Sequence, residues 1–407
     1  MLGENMAPLV GDSPDPVLVD GSALGRPPRI LLIYTGGTIG MVEDAATGAL
    51  APFDFSHLLE NVPKVGRLGY QLDFAEIAPP IDSSDMSPAH WREIAQMVAA
   101  GYDAHDGFAI LHGTDTMAYT ASALSFMLPG LAKPVILTGS QLPIGEIRED
   151  GTNNLITALQ IAAARDPRDG GPMVREVAIS FGRFLWRGNR ATKMSSTDFG
   201  AFRSFNYPPL AEMDLHIRFN EARLLRPNGA SSAGEGEGLA AAAGQLAVAD
   251  GETAVSGLGT AASGLVPQLE MDNAIGWVSV FPGMTEEVLR SQLEVPSLKG
   301  AVLRTFGAGN APTRPWFVNA VAQFVSSGRL LVNVTQCAGG GVEDKRYATG
   351  DALVRAGVVS GFDMTCEAAL AKMMHLFGRG CSAEEAAVLM QRPLAGELTV
   401  PDAVAKF

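Results

Sequence analysis

Short apolar runs recur along the chain, each followed within a few positions by glycine, threonine, serine or aspartate. Residues 30–34 (ILLIY), 108–111, 134–137 and 177–181 in the first half read as strands buried on both faces. Residues 275–281, 300–304 and 330–334 repeat that pattern in the second half. Between 108–111 and 134–137, Met117, Ala121, Leu124 and Leu128 recur at helical spacing, and Pro129 and Gly130 stop the segment. Strand, helix and strand at this spacing form a βαβ unit of a parallel sheet. Ligands of such sheets bind at the carboxyl ends of the strands. There the sequence has Gly113, Thr114 and Asp115, then Gly139, Ser140 and Gln141, all small or polar. An active site is expected at that edge.

Around this unit the order is legible in outline. Residues 1–29 are rich in Gly, Pro and Asp and read as an arm. The 30–34 strand runs into Thr35-Gly36-Gly37-Thr38-Ile39-Gly40, a glycine-rich turn with two hydroxyls and no Lys-Ser/Thr of a phosphate loop. Residues 41–50 have the composition of a loop covering a site. Residues 80–86 (PIDSSDM) offer Ser83, Ser84 and Asp85 either for recognition or for local capping. Ser87 and Pro88 then open a helix through Trp91, Ile94, Ala95 and Val98. A helix is expected over 155–164. The basic Arg183, Arg187, Arg190 and Lys193 read as a solvated face, except that Lys193 sits among small polar residues where its amine needs a partner. Domains are expected at 30–225 and 274–407, joined by a Gly/Ala-rich linker and edge segment at 226–273. Helices are expected at 285–291, 316–324, 364–377 and 382–391. The last has Ser382 and Glu385 in capping-box spacing.

Composition narrows the function classes. A chain of 407 residues, 47% apolar and 18% charged, builds two cores. A net charge of −14 argues against a nucleic-acid partner. Cys337, Cys366 and Cys381 lack CxxC spacing, the early residues lack a signal-peptide core, and no apolar stretch is long enough to span a bilayer. Cytoplasmic residence is the expectation. Six histidines show neither HExxH nor zinc-finger spacing, and GxSxG is absent, so neither metal hydrolysis nor a serine elbow is supported. His112 beside Gly113 reads either as a site contact or as a structural histidine. Thr38, Thr114, Asp115 and Lys193 remain. A threonine needs an adjacent base to attack, and lysine serves if it loses its proton, which burial favours and a carboxylate opposes. Backbone N–H groups of the glycine turns suit an oxyanion.

At these residues the sequence resembles the bacterial L-asparaginase/glutaminase family, nearest its cytoplasmic type I members. The marks are TGGTIGM at 35–41, IDSSDM at 81–86, LHGTDTMAYTASALSFML at 111–128 and TGSQ at 138–141. RGNRATK at 187–193, RTFGAGNAP at 304–312 and TQC at 335–337 extend them. The resemblance implies an α/β fold with a larger flavodoxin-like parallel-sheet N-terminal domain and a smaller C-terminal α/β domain. It implies hydrolysis of L-asparagine to L-aspartate and ammonia through an acyl-enzyme, without metal or cofactor. Thr38 would attack, while Thr114, Asp115 and Lys193 would form the second catalytic group. Ser83, Ser84 and Asp115 would hold the substrate's α-carboxylate and α-amine. It further implies a homodimer or homotetramer, and a regulatory asparagine site at Arg304, Phe306, Thr335 and Cys337. The tyrosine common in the loop after TGGT is missing, with Ala49 near its position. Thr35, Thr47 or a distant Tyr70, Tyr119 or Tyr207 are left to assist Thr38. The alternatives are a glutaminase or broader amino-acid amidase, a tRNA-linked amidotransferase, and a non-catalytic amino-acid sensor. The 1–29 segment is too short for the extra domain of the amidotransferase.

Overall fold

The computed structural model describes residues 25–43, 50–52, 62–226, 264–343 and 348–400. Most of the expected arm, the centre of the expected linker, and Thr47 and Ala49 lie outside the described residues. The apolar runs become the strands β1 (Arg29–Tyr34), β5 (Gly107–Leu111), β6 (Val135–Thr138) and β7 (Val177–Phe181), all interior to one sheet. β2 (Met41–Glu43) and β3 (Leu50–Pro52) pair as an antiparallel hairpin where a loop was expected. β4 (Gln71–Glu76) adds a parallel edge beside β1. Beyond β7 the sheet continues antiparallel through β8 (Phe184–Arg187), β11 (Ala211–Met213) and β12 (Ile217–Phe219). A separate two-stranded ribbon joins β9 (Thr192–Lys193) to β10 (Phe202–Arg203).

The large sheet runs β12-β11-β8-β7-β6-β5-β1-β4. The chain leaves β1 toward β4 and then returns to its other side for β5, so strand order reverses between β1 and β5. That crevice is where α/β sheets of this type bind ligands. The helices Pro88–Gly101, Met117–Met127 and Gly151–Ala163 cover the sheet, and two apolar clusters fill the space on its two faces. The Met117–Met127 helix is apolar nearly all round, because it is sandwiched between the sheet and the second domain.

The second domain has four parallel strands in the order β13-β14-β15-β16. They are β13 (Ile275–Ser279), β14 (Gly300–Thr305), β15 (Leu330–Thr335) and β16 (Val359–Ser360). The expected helices are Glu286–Leu293, Pro315–Ser326, Cys366–Gly378 and Ala383–Met390, with Ala348–Arg355 in addition. The predicted capping box forms: Ser382 Oγ accepts from Glu385 N at 3.2 Å, and Glu385 Oε2 accepts from Ser382 N at 2.8 Å.

The domains are bound by buried polar contacts that local sequence does not announce. Arg187 and Arg190, read as a solvated basic face, are instead 4% and 3% exposed. Arg187 Nε donates to Glu176 Oε2 at 2.6 Å, and its guanidinium lies 4.3 Å from the Tyr207 ring. Arg190 donates to Asp363 Oδ2, Gly396 O and Thr399 Oγ1, and Asn189 Nδ2 reaches Ala395 O. Residues 394–399 thus form a strap seated on the first domain. Its own anchor is a fully buried ion pair, Lys372 Nζ to Glu397 Oε1 at 2.5 Å. Burial pushes the Glu397 carboxyl up, but the Lys372 ammonium and the Ala395 N–H pull it below the usual carboxylate range.

Candidate active site

Three loops converge over the β1/β5 crevice, and main chain meets main chain there. After β1, Thr35 N and Oγ1 both donate to Leu111 O at 3.0 Å, tying the turn to the end of β5. Gly36 and Gly37 have φ of 123° and 89°. A Cβ on Gly36 would lie 2.1 Å from Ile81 O, and one on Gly37 would lie 2.5 Å from Gly113 Cα. One on Gly113 would meet Ser83 Oγ at 2.5 Å. Only glycine permits both the positive φ and these approaches. The turn carrying Thr38, the segment carrying Ser83 and the loop carrying Thr114 and Asp115 are therefore in contact through their backbones.

Thr38 begins a single 3-10 turn closed by Gly40 N donating to Gly37 O at 3.1 Å, and it is half-buried. Beneath it Tyr34, which the sequence did not single out, donates its hydroxyl to Gly40 O at 3.3 Å. Burial, with a contribution from Glu76, raises that phenol to about 12, so it stays protonated as a donor that holds the turn. Of the distant tyrosines considered, Tyr207 donates to Arg223 O beneath Arg187, and Tyr70 packs on the core. Tyr119 lies among the side chains that pack between the sheet and the second domain.

Lys193 extends from β9 to the same place. Its Nζ donates to Thr114 Oγ1 at 2.7 Å and to Asp115 Oδ1 at 2.6 Å. The lysine side chain is 17% exposed and the aspartate 66%, so the pair opens to solvent at its carboxylate end. Thr114 Oγ1 lies 3.5 Å from Gln141 Oε1, at the outer limit of a hydrogen bond. Gln141 is itself fixed by its N–H to Asp150 at 3.0 Å and by its amide to Asp198 O. Ser83 is buried and its carbonyl accepts from Thr116 Oγ1 at 2.6 Å. Ser84 is exposed, and both its N–H and hydroxyl go to Asp82 Oδ1, which is the capping role. Of the predicted residues, Thr114, Asp115 and Lys193 are thus in direct contact, and Ser83 joins their loop through Thr116 and Gly113. Arg304, Phe306, Thr335 and Cys337 lie at the ends of β14 and β15 in the other domain.

His112 is structural. It is fully buried, and burial lowers it to about 4, so it is neutral at ordinary pH. Its Nδ1 faces the Gly113 carbonyl at 2.6 Å and must carry the proton. Nε2 then accepts from Thr120 Oγ1 at 2.8 Å, and Thr120 accepts from Trp91 Nε1 at 3.0 Å. This chain pins the loop from behind. His375, buried against Phe126 on the second domain's side, is lowered to about 3 by burial. The unfolded chain protonates these rings below about pH 6.5, whereas the folded chain resists until about 4 or 3. Their effect is therefore absent above pH 6.5 and grows as pH falls, reaching about 3 kcal/mol for His112 near pH 4. The melting temperature is expected to drop steadily from pH 6.5 to pH 4.5, with a shallower slope for His375→Leu; a flat profile would contradict both assignments.

Among the described residues no three His, Cys, Asp or Glu side chains gather as metal ligands, and all three cysteines are free. No helix among them is long and apolar enough to cross a membrane. The family models "Asparaginase, N-terminal" and "Glutaminase/Asparaginase C-terminal domain" match residues 29–225 and 274–390. L-asparaginase 1 of Escherichia coli K12 is 41% identical over 375 residues, covering 92% of this chain and 98% of its own. The mouse 60 kDa lysophospholipase is 36% identical, with 93% of this chain and 64% of its own covered. The crystal structure of L-asparaginase I from Vibrio cholerae matches with a TM-score of 0.75 at 38% identity, covering 92% of this chain and 100% of that one. Two matched domains in the right order, and full-length relatives at this identity, establish that the chain belongs to the asparaginase family.

Proposed function

We propose that the protein hydrolyses L-asparagine to L-aspartate and ammonia. The observation that carries this reading is the Lys193 amine bridging Thr114 and Asp115 beside the Thr38 turn. In the reaction Thr38 Oγ1 bonds to the side-chain amide carbon, the C–N bond breaks, and the nitrogen leaves as ammonia carrying the proton that the Thr38 hydroxyl gives up. Water held by Thr114 then adds to the ester, releasing aspartate and restoring Thr38. Lys193 moves or holds the proton at Thr114 Oγ1. Backbone N–H groups of the two glycine turns supply oxyanion donors. Asp115 takes the substrate's α-amine, and Ser83 with Ser84 takes its α-carboxylate. The resemblance also supports a cytoplasmic homodimer or homotetramer.

Ammonia release from a panel of amino-acid amides tests the reading. Asparagine is expected to give the highest kcat/KM, whereas a glutamine optimum would make the protein a glutaminase and no release would make it a sensor. The same assay, run across asparagine concentration, examines regulation. A second asparagine near Arg304, Phe306, Thr335 and Cys337 is supported by the buried Arg304 Nε, which has no hydrogen-bond partner among the described residues. Thr335, by contrast, is already engaged with Gly307 O at 2.6 Å. Sigmoidal rates are expected, and hyperbolic rates at constant oligomeric state would remove this site.

A further inference from the structure

We infer that Glu367, in the second domain, is a positioning residue for Lys193, acting through Thr192. Thr192 Oγ1 donates to Glu367 Oε1 at 2.5 Å across 175 residues of chain. Side chains alternate along a strand, so Thr192 and Lys193 point to opposite faces of β9. One is held by Glu367 while the other reaches Thr114 and Asp115. β9 needs an external hold. It is two residues long and has two paired positions, with Phe202 and Arg203 of β10. The next anchor back along the chain is Arg190, on Asp363 Oδ2 at 2.9 Å. Besides the short ribbon to β10 and the Met194 N–H on Ala201 O at 2.7 Å, both side-chain anchors just before the lysine therefore belong to the second domain.

The partner groups share the same reference. Thr114 and Asp115 lead directly into the Met117–Met127 helix, which packs along the Cys366–Gly378 helix. Ala371 of that second helix lies in one apolar cluster with Met117, Ala118 and Ala121. Glu367 sits in its first turn, 9% exposed, where the N-cap Thr365 already accepts from Ala368 N at 3.1 Å. The helix thus has its cap without Glu367, and the carboxylate is directed across the domain junction. Two hydrogen bonds of 2.6 and 2.7 Å at Lys193 do not survive a displacement near 1 Å.

The inference rests on the assignment of Lys193 to catalysis, so three variants are compared with Lys193→Met. Thr192→Val keeps the branched side chain and removes only the donor. Glu367→Ala removes the acceptor, and Glu367→Gln retains one. Thr192→Val and Glu367→Ala are each expected to lower kcat for asparagine about 10- to 100-fold, with KM changed less than about threefold. The double variant is expected to fall no further than the worse single one, because both break one contact. Glu367→Gln is expected to recover most of the loss. Purely structural damage would lower the melting temperature without this kcat-against-KM split or the recovery. Near-parental kcat in Thr192→Val, or fully multiplicative losses in the double variant, would overturn the inference even if Glu367→Ala failed to fold. Near-parental kcat in Lys193→Met would instead remove the catalytic reading on which it depends.

Discussion

Thr38→Ala is expected to lower kcat for asparagine by about 10³-fold or more while changing KM little. The side chain that would form the acyl-enzyme is lost, and that bond exists only along the reaction path, so the ground-state binding proposed for Ser83 and Asp115 is untouched. A 10³-fold loss corresponds to about 4 kcal/mol of transition-state stabilisation. The fold should survive. The turn is held by Gly40 N to Gly37 O, by Tyr34 from below, and by the fit of Gly36 and Gly37 against neighbouring main chain. None of these uses the Thr38 hydroxyl. Steady-state kinetics with a matched melting curve is the check. A folded variant with near-parental kcat would move the nucleophile to Thr114.

Lys193→Met is expected to reduce kcat about 10²- to 10⁴-fold, the range for loss of a positioned proton-transfer group. Methionine is unbranched and follows the path of a side chain that is only 17% exposed, so packing is largely conserved. Asp115 loses its cationic partner and Thr114 its proton partner. Lys193→Arg separates two roles. A guanidinium supplies charge but cannot give up its proton, so a base role predicts no recovery, whereas a purely electrostatic role predicts partial recovery. Full activity in Lys193→Met would confine the residue to structure.

What the sequence disclosed follows from which forces are local. The runs that became β1, β5, β6, β14 and β15 are buried on both faces, so their apolar character is continuous and legible. β4, with the sequence QLDFAE, is an edge strand with only exposed and half-buried positions. Its polar letters hid it. β8, β11 and β12 are short antiparallel strands whose identity depends on pairing rather than composition. The site residues were legible through motif resemblance more than through chemistry, because no spacing rule brings Lys193 to Thr114. Arg187 reads as part of a solvated face because its pairing with Glu176 needs the antiparallel β7–β8 turn, and Arg190 because its acceptors, Gly396 O and Asp363, lie far along the chain. Thr192 and Glu367 escaped for the same reason. His112 could be read either way until its burial was known.

The strap at 394–399 sets an order of events during biosynthesis. Arg190 finds Gly396 O 206 residues later in the chain, and Asn189 finds Ala395 O at the same separation. A ribosome delivers the first sheet, with its crevice and its glycine turns, long before it delivers those acceptors. The nascent first domain must therefore keep the Arg190 guanidinium hydrated, a group that the finished protein hides. The side-chain holds on and just before β9, Glu367 and Asp363, likewise arrive only with the second domain. Synthesis of the second domain, rather than closure of the first domain's core, is then the step that supplies the acceptors flanking Lys193.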